Sequence, residues 1–230
     1  SAELIVEKWN LARDAMDDYA YESHIKAGRA IEAGIFTDQI LPVSLPDGSR
    51  FAVDQGVRRP PDRERMRALK PVFKENGRVT AGNSSQGSDA AAALLIASAS
   101  AVGKYNLSPL ARIVARLALG SDPTLMLDGP IHAVPKVLKR AGLTLDDMDV
   151  IEINEAFACV VLAWEKELHP DMTKVNPNGG AIAHGHPLGA TGAVLMTKLV
   201  YELQRTQGRY GLQVMCIGHG MANATVIERV

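Results

Sequence analysis

The chain has 230 residues, 47% of them hydrophobic and only 5% aromatic, with 25 basic and 26 acidic side chains for a formal net charge of −1. No basic block marks a nucleic-acid surface, and no apolar run is long enough to span a bilayer. The two cysteines, Cys159 and Cys216, form no spacing pattern, which argues against a disulfide framework and a structural zinc site and for a reducing, cytoplasmic setting.

Residues 1–35 read as two helices. The first carries Ala2, Leu4, Ile5, Trp9 and Leu11, and the second runs from Arg13 to a glycine stop at Gly34. Ser1 is not an initiator methionine and enters at once into this amphipathic pattern, so a cut or processed chain is expected. A short strand, Ile40 to Val43, precedes a Pro-, Asp- and Arg-rich excursion over residues 44–75. The run Ala90–Ala101 is apolar on every side, the pattern of a buried helix. From Leu110 the sequence alternates: strand Ile113–Leu119, helix His132–Ala141 closed by Gly142, strand Val150–Asn154 and helix Ala156–Leu168. A glycine-rich loop, helix Leu188–Gln204, strand Gly211–Ile217 and a last strand Ala224–Val230 complete it. This order implies a layered α/β fold, whose ligands sit outside the carboxyl ends of strands.

Three polar sites fall where that rule places function. Asn154-Glu155 closes a strand. His186 lies in the loop Asn176–Gly192, which holds five glycines. Cys216 closes a strand before Gly218 and Gly220. The loop's amides could hold an anion or a developing oxyanion, although its glycine spacing is neither a dinucleotide fingerprint nor a P-loop. A plain glycine-rich connection with an incidental histidine is the competing reading. Cys216 reads either as a core thiol or as an acid/base group. Cys159, mid-helix among apolar neighbours, reads as core. His24, His132, His169, His184 and His219 make no metal-ligand spacing, so no metal is expected.

Taken together these segments resemble the thiolase family. Asn154 to Ala158 is similar to its NEAF motif, Asn178 to Gly189 to its NGGAIALGHP(I/L)G motif, and Cys216 to Gly220 to its CxGGG motif. Ala81 to Ser85 resembles its AGNxS segment, Tyr21 to His24 and Gly34 to Ile40 its loop domain, and Asp128 to Pro130 also fits. The resemblance implies a layered αβαβα fold with a partial loop domain: residues 1–77 the latter part of that domain, 78–108 a returning piece of the N-terminal domain, and 109–230 the C-terminal domain. It implies CoA thioesters as substrates, coenzyme A or acyl-CoA acting as substrate with no tightly bound cofactor, and a homodimer or homotetramer.

By the same resemblance His186 activates a nucleophile and donates to an oxyanion hole, Asn154 completes that hole through a water, and Cys216 exchanges protons with substrate. The Gly218 amide serves a second oxyanion hole, and Ser85, Ala156 and Phe157 lie along the CoA arm. The family's nucleophilic cysteine matches no residue here, so a missing N-terminal segment or companion chain is expected to supply it, and the chain alone is expected to be inactive. A related condensing enzyme (a ketosynthase or hydroxymethylglutaryl-CoA synthase) and a non-catalytic truncated paralogue are the alternatives. His184, Gln86, Ala90, His219 and Ala222 depart from the family pattern.

Overall fold

The computed structural model describes all of residues 1–230. Helices α1 (Ala2–Lys8) and α2 (Arg13–Glu32) lead into a two-strand hairpin of β1 (Val43–Ser44) and β2 (Arg50–Phe51). Then come α3 (Arg63–Arg67), α4 (Ala99–Tyr105), β3 (Ala111–Gly120), α5 (Gly129–Ala141) and β4 (Val150–Ile153). The chain ends with α6 (Ala158–Leu168), α7 (Ala181–His184), α8 (Thr191–Thr206), β5 (Tyr210–Ile217) and β6 (Met221–Arg229).

Four strands form one mixed sheet in the order β3-β6-β5-β4. β4 and β5 are parallel, pairing Ile153 with Val214, whereas β6 runs antiparallel to both β5 and β3. Alternation along the strands sends side chains to opposite faces. Ile151, Ile153, Leu212, Val214 and Val226 pack with Ala133, Val134, Val137 and Leu138 of α5 and with Val161 and Trp164 of α6. Val150 and Ile227 point the other way, onto Leu199 and Leu203 of α8. Gly211 lacks a side chain because Leu199 Cδ1 lies 2.8 Å from where its Cβ would stand. Beyond α6, helices α1 and α2 supply Ile5, Val6, Met16 and Ala20 to a second apolar cluster that also takes in Cys159, Ile182 and Cys216.

Because β4 and β5 are parallel, their carboxyl ends coincide. Asn154 follows the last residue of β4, and its amide donates to Val214 O at 3.0 Å, two residues before Cys216 on β5. The topology therefore gathers Asn154 and Cys216 at one end of the sheet.

Several boundaries differ from the sequence expectation. The strand expected at Ile40–Val43 is reduced to Val43–Ser44; Leu41 and Val43 stay exposed, so no second face rewards a longer strand. The long helix begins at Thr191 rather than Leu188, since the amides of Ala190 and Thr191 fold back onto Pro187 O as a turn. The last strand starts at Met221, three residues earlier than expected. A tight turn with His219 at φ 66° and Gly220 at φ 79° brings Met221 directly opposite Ile217.

The largest correction concerns Ala90–Ala101. Residues 90–98 form no helix and residues 90–100 are exposed, with Leu95 at 85% and Ile96 at 73% exposure. Helix α4 starts only at Ala99, with the Ser98 hydroxyl accepting from Ala101 N at its N-terminus. An apolar helix gains most of its stability from the surface it covers, and no element of these 230 residues packs on this segment. Replacing Leu95 by Asp is therefore expected to change the chain's unfolding free energy by no more than about 0.5 kcal/mol. Leu199→Ala is expected to lose about 2–5 kcal/mol. Urea denaturation of the two variants checks the contrast.

Candidate active site

The site is organised by a carboxylate that is not its chemistry. Glu155, 1% exposed, accepts four hydrogen bonds. Tyr19 Oη donates to Oε1 at 2.8 Å and Asn176 Nδ2 at 3.0 Å; Ser23 Oγ donates to Oε2 at 2.7 Å and the Ile182 amide at 3.1 Å. One side chain thus ties the end of β4 to α2, to the start of the glycine-rich loop and to α7. Gly180 allows this approach, since a Cβ there would stand 2.2 Å from Glu155 Cδ. Asn176 completes the knot by accepting from Ile153 N and donating to Ile153 O, each at 2.9 Å.

Past α7, the loop carries His186. Its amide donates to Gln86 O at 2.9 Å, and its ring is fixed at both nitrogens. The Thr191 hydroxyl donates to Pro187 O at 2.9 Å, which leaves it as an acceptor toward His186 Nδ1 at 2.7 Å. The proton therefore sits on Nδ1. Nε2 presents a lone pair, with Asn154 Nδ2 at 3.4 Å. Partial burial holds the His186 pKa below the ordinary histidine value, so the ring is neutral at pH 7. A neutral imidazole with a bare Nε2 is a general base, and once protonated it becomes a hydrogen-bond donor at the same atom. Asn154 is 1% exposed and its Oδ1 has no protein partner, leaving an acceptor free beside that base.

Cys216 is 8% exposed, on the sheet face shared with Leu212 and Val214, in the same apolar cluster as Ala156 and Ile182. Burial pushes its pKa up to about 11, so at neutral pH it is a thiol, the form that can give up a proton. Cys159 is wholly buried with Sγ 3.6 Å from Ala2 O, and burial raises its pKa to about 12. Gly218 sits exposed in the β5–β6 turn, and no atom crowds the position of a Cβ there. Ser85 N donates to Ala156 O at 3.0 Å, and Ser84 bridges Phe157, so Ser85, Ala156 and Phe157 run side by side.

The structure thus brings His186 and Asn154 into contact and sets Ser85, Ala156 and Phe157 together. Some of the loop's amides are already committed within the chain. Gly180 N donates to Ser23 Oγ, Ile182 N to Glu155 and His186 N to Gln86 O. Sequence reading also left Thr191, Ser23, Gln86 and Glu155 without roles. Only Glu155 carried a visible signal, as a charged residue at a strand end inside an apolar context.

The family model of the thiolase C-terminal domain matches residues 107–229, and that of the thiolase N-terminal domain matches residues 1–100. The chain belongs to the thiolase family. It is 53% identical over its whole length to the steroid 3-ketoacyl-CoA thiolase FadA6 of Mycobacterium tuberculosis, covering 56% of that protein. It is 43% identical to the human mitochondrial 3-ketoacyl-CoA thiolase, with 99% of this chain and 58% of the relative aligned. A crystal structure of the Bacillus anthracis acetyl-CoA acetyltransferase superposes on all of it with a TM-score of 0.97 at 40% identity, over 59% of that chain. A structure of the human enzyme in complex with CoA gives 0.94 at 41% identity, over all of this chain and 58% of that one. The layered α/β architecture is therefore the thiolase fold, and the chain spans a little under three fifths of these relatives' length.

Exchanging Glu155 for Gln keeps the shape but turns an NH2 group toward donors. Unfolding should become easier by about 2–5 kcal/mol, the cost of breaking a buried charge-assisted network; denaturant titration reads it. A second outcome concerns pH. Burial first, then Arg58 nearby, lowers the His24 pKa to about 4, and its Nδ1 accepts from Arg58 N. A histidine whose folded pKa is depressed contributes stability above its unfolded value of about 6.5. That contribution is lost as pH falls toward 4. The thermal midpoint should therefore fall between these two pH values, and His24→Gln should flatten that part of the profile.

Proposed function

We propose that this chain carries the base, the oxyanion site and the acid/base thiol of a CoA-dependent thiolase, which cleaves 3-ketoacyl-CoA or, in reverse, condenses two acyl-CoA units. What supports this most is the histidine held by Thr191 with its bare Nε2 against Asn154. In this reading Nε2 takes the proton of a nucleophilic cysteine. The thiolate attacks the C3 carbonyl, giving a tetrahedral alkoxide at C3. As that alkoxide collapses the C2–C3 bond breaks, leaving an acyl-cysteine and the enolate of the shorter CoA ester, whose thioester oxygen is stabilised by the imidazolium and a water on Asn154. Cys216 gives its proton to that enolate carbon. The Cys216 thiolate then takes the proton of CoA, whose sulfur attacks the acyl-cysteine and releases the shortened acyl-CoA. The raised pKa of Cys216 suits its first step, because the thiol rests protonated.

Gly218 N is assigned to the second oxyanion site, and Ser85, Ala156 and Phe157 to the CoA arm. CoA thioesters are then substrates rather than bound cofactors, and the homodimer or homotetramer of the family is the working assembly. The division into residues 1–77, 78–108 and 109–230 belongs to the same reading, as does a cytoplasmic setting with both cysteines free.

The nucleophile is assigned to a thiolase segment other than these 230 residues. Cys159 is sealed in the core and Cys216 is the proton carrier, so neither supplies a second thiolate. A ketosynthase-like condensing enzyme is disfavoured by Cys216 standing in the acid/base position. Cleavage of acetoacetyl-CoA and of a longer 3-ketoacyl-CoA tests the reading. The chain alone should show no turnover, and adding a thiolase segment with a reactive cysteine should restore it. In that reconstituted enzyme Cys216→Ser should reduce kcat by about 10²–10⁴. Turnover by the isolated chain, or full activity of the serine variant, overturns the assignment. A complex that binds CoA and never turns over would mark a non-catalytic paralogue.

A further inference from the structure

Two residues beside the site, His184 and Gln86, are used by none of these steps, yet both are saturated with contacts. The His184 side chain is 9% exposed. Its Nδ1 lies 2.8 Å from Asp54 Oδ2, and its Nε2 lies 3.0 Å from the Asn178 carbonyl oxygen. The Phe36 ring meets it edge-on at 5.1 Å. The ring is therefore held from both sides, by a carboxylate and by a backbone carbonyl.

Gln86 faces the same segments. Its Nε2 lies 3.0 Å from Gly56 O, 2.9 Å from Ile182 O and 2.9 Å from Ala183 O, and its own carbonyl accepts from His186 N. Ser88 fills the space beside Gly185, where a Cβ would stand 1.9 Å from Ser88 Oγ. Residues 54–56, 86–88 and 178–186 are thus bound to one another.

We propose that His184, bound between Asp54 and the Asn178 carbonyl, forms with Gln86 a two-point latch that fixes the loop carrying His186 and so holds its Nε2 toward Asn154. These are positioning residues, and the inference rests on the reading of His186 as the catalytic base. Asp54 comes from the excursion after β2 and Asn178 from the start of the glycine-rich loop, so the latch joins two segments far apart in the sequence.

Histidine side-chain 15N–1H correlation spectra of the 230-residue chain test this directly. At pH 7 His186 should carry its proton on Nδ1 alone. In Asp54→Ala, and separately in Gln86→Ala, His186 should become a mixture of tautomers, and Asp54→Glu should restore the single form. The unchanged signal of the half-exposed His132 reports that each variant is folded. A His186 tautomer unmoved by both Asp54→Ala and Gln86→Ala overturns the proposal. These spectra do not depend on turnover. Were His186→Asn to leave thiolysis intact in the reconstituted enzyme, the functional reading would fall while the latch itself stood.

Discussion

The Glu155 carboxylate is the constraint on which the rest of the site depends. It sits at the end of β4, where the chain turns from sheet to helix, and four donors from α2, the glycine-rich loop and α7 converge on it. Between α2 and α7 small side chains such as Ala27 and Ala183 make part of the apolar contact. Glycines replace side chains there, and Gly180 could carry none. A buried charge with four satisfied hydrogen bonds substitutes for packing: directional bonds set the path of a loop that has too little side-chain volume to be set by the core. The loop's freedom to pass close to a substrate and its fixed geometry come from the same choice of residues.

Charge is partitioned across the sheet. On the α8 face, Glu152 is fully buried and bound to Lys198, whose ammonium also reaches Gly179 O at 2.5 Å. That pair lies behind β4. On the opposite face stand Ile151 and Ile153, and beyond the strand ends stand Asn154, His186 and Cys216, all uncharged at rest. Burial pushes Cys216 up and His186 down, each toward its neutral form. A site that begins uncharged concentrates its hydrogen bonds on charge that develops during a reaction, in surroundings where water competes little.

How much of this was legible in the sequence depended on whether a residue acts locally. The alternation of strands and helices from residue 110 onward follows from patterning, because the elements there, apart from the exposed edge strand β3, bury an apolar face within these 230 residues. His186, Asn154 and Cys216 were legible because strand ends and glycine-rich turns are written in short segments. Ala90–Ala101 was misread for the opposite reason. Its composition describes a helix covered on all sides, and the chain contains nothing that covers it. Thr191 was invisible because its role lies in the direction of one hydroxyl proton, which no spacing encodes.

The same distinction explains why His184 and Gln86 first looked like mere departures from a motif. A motif describes the residues along one segment, whereas these two side chains answer to Asp54 and Gly56, 130 and 30 positions away. An apolar residue at 184 would need only a dry pocket. A histidine there meets a carboxylate on one side and a carbonyl on the other, and the fold provides both. Asp54 and His184 therefore read as a matched pair rather than two independent substitutions, and each becomes costly without the other. Because the pair bridges the excursion to the loop that carries the base, variation in a surface segment reaches the reacting atoms through one side-chain contact and one amide.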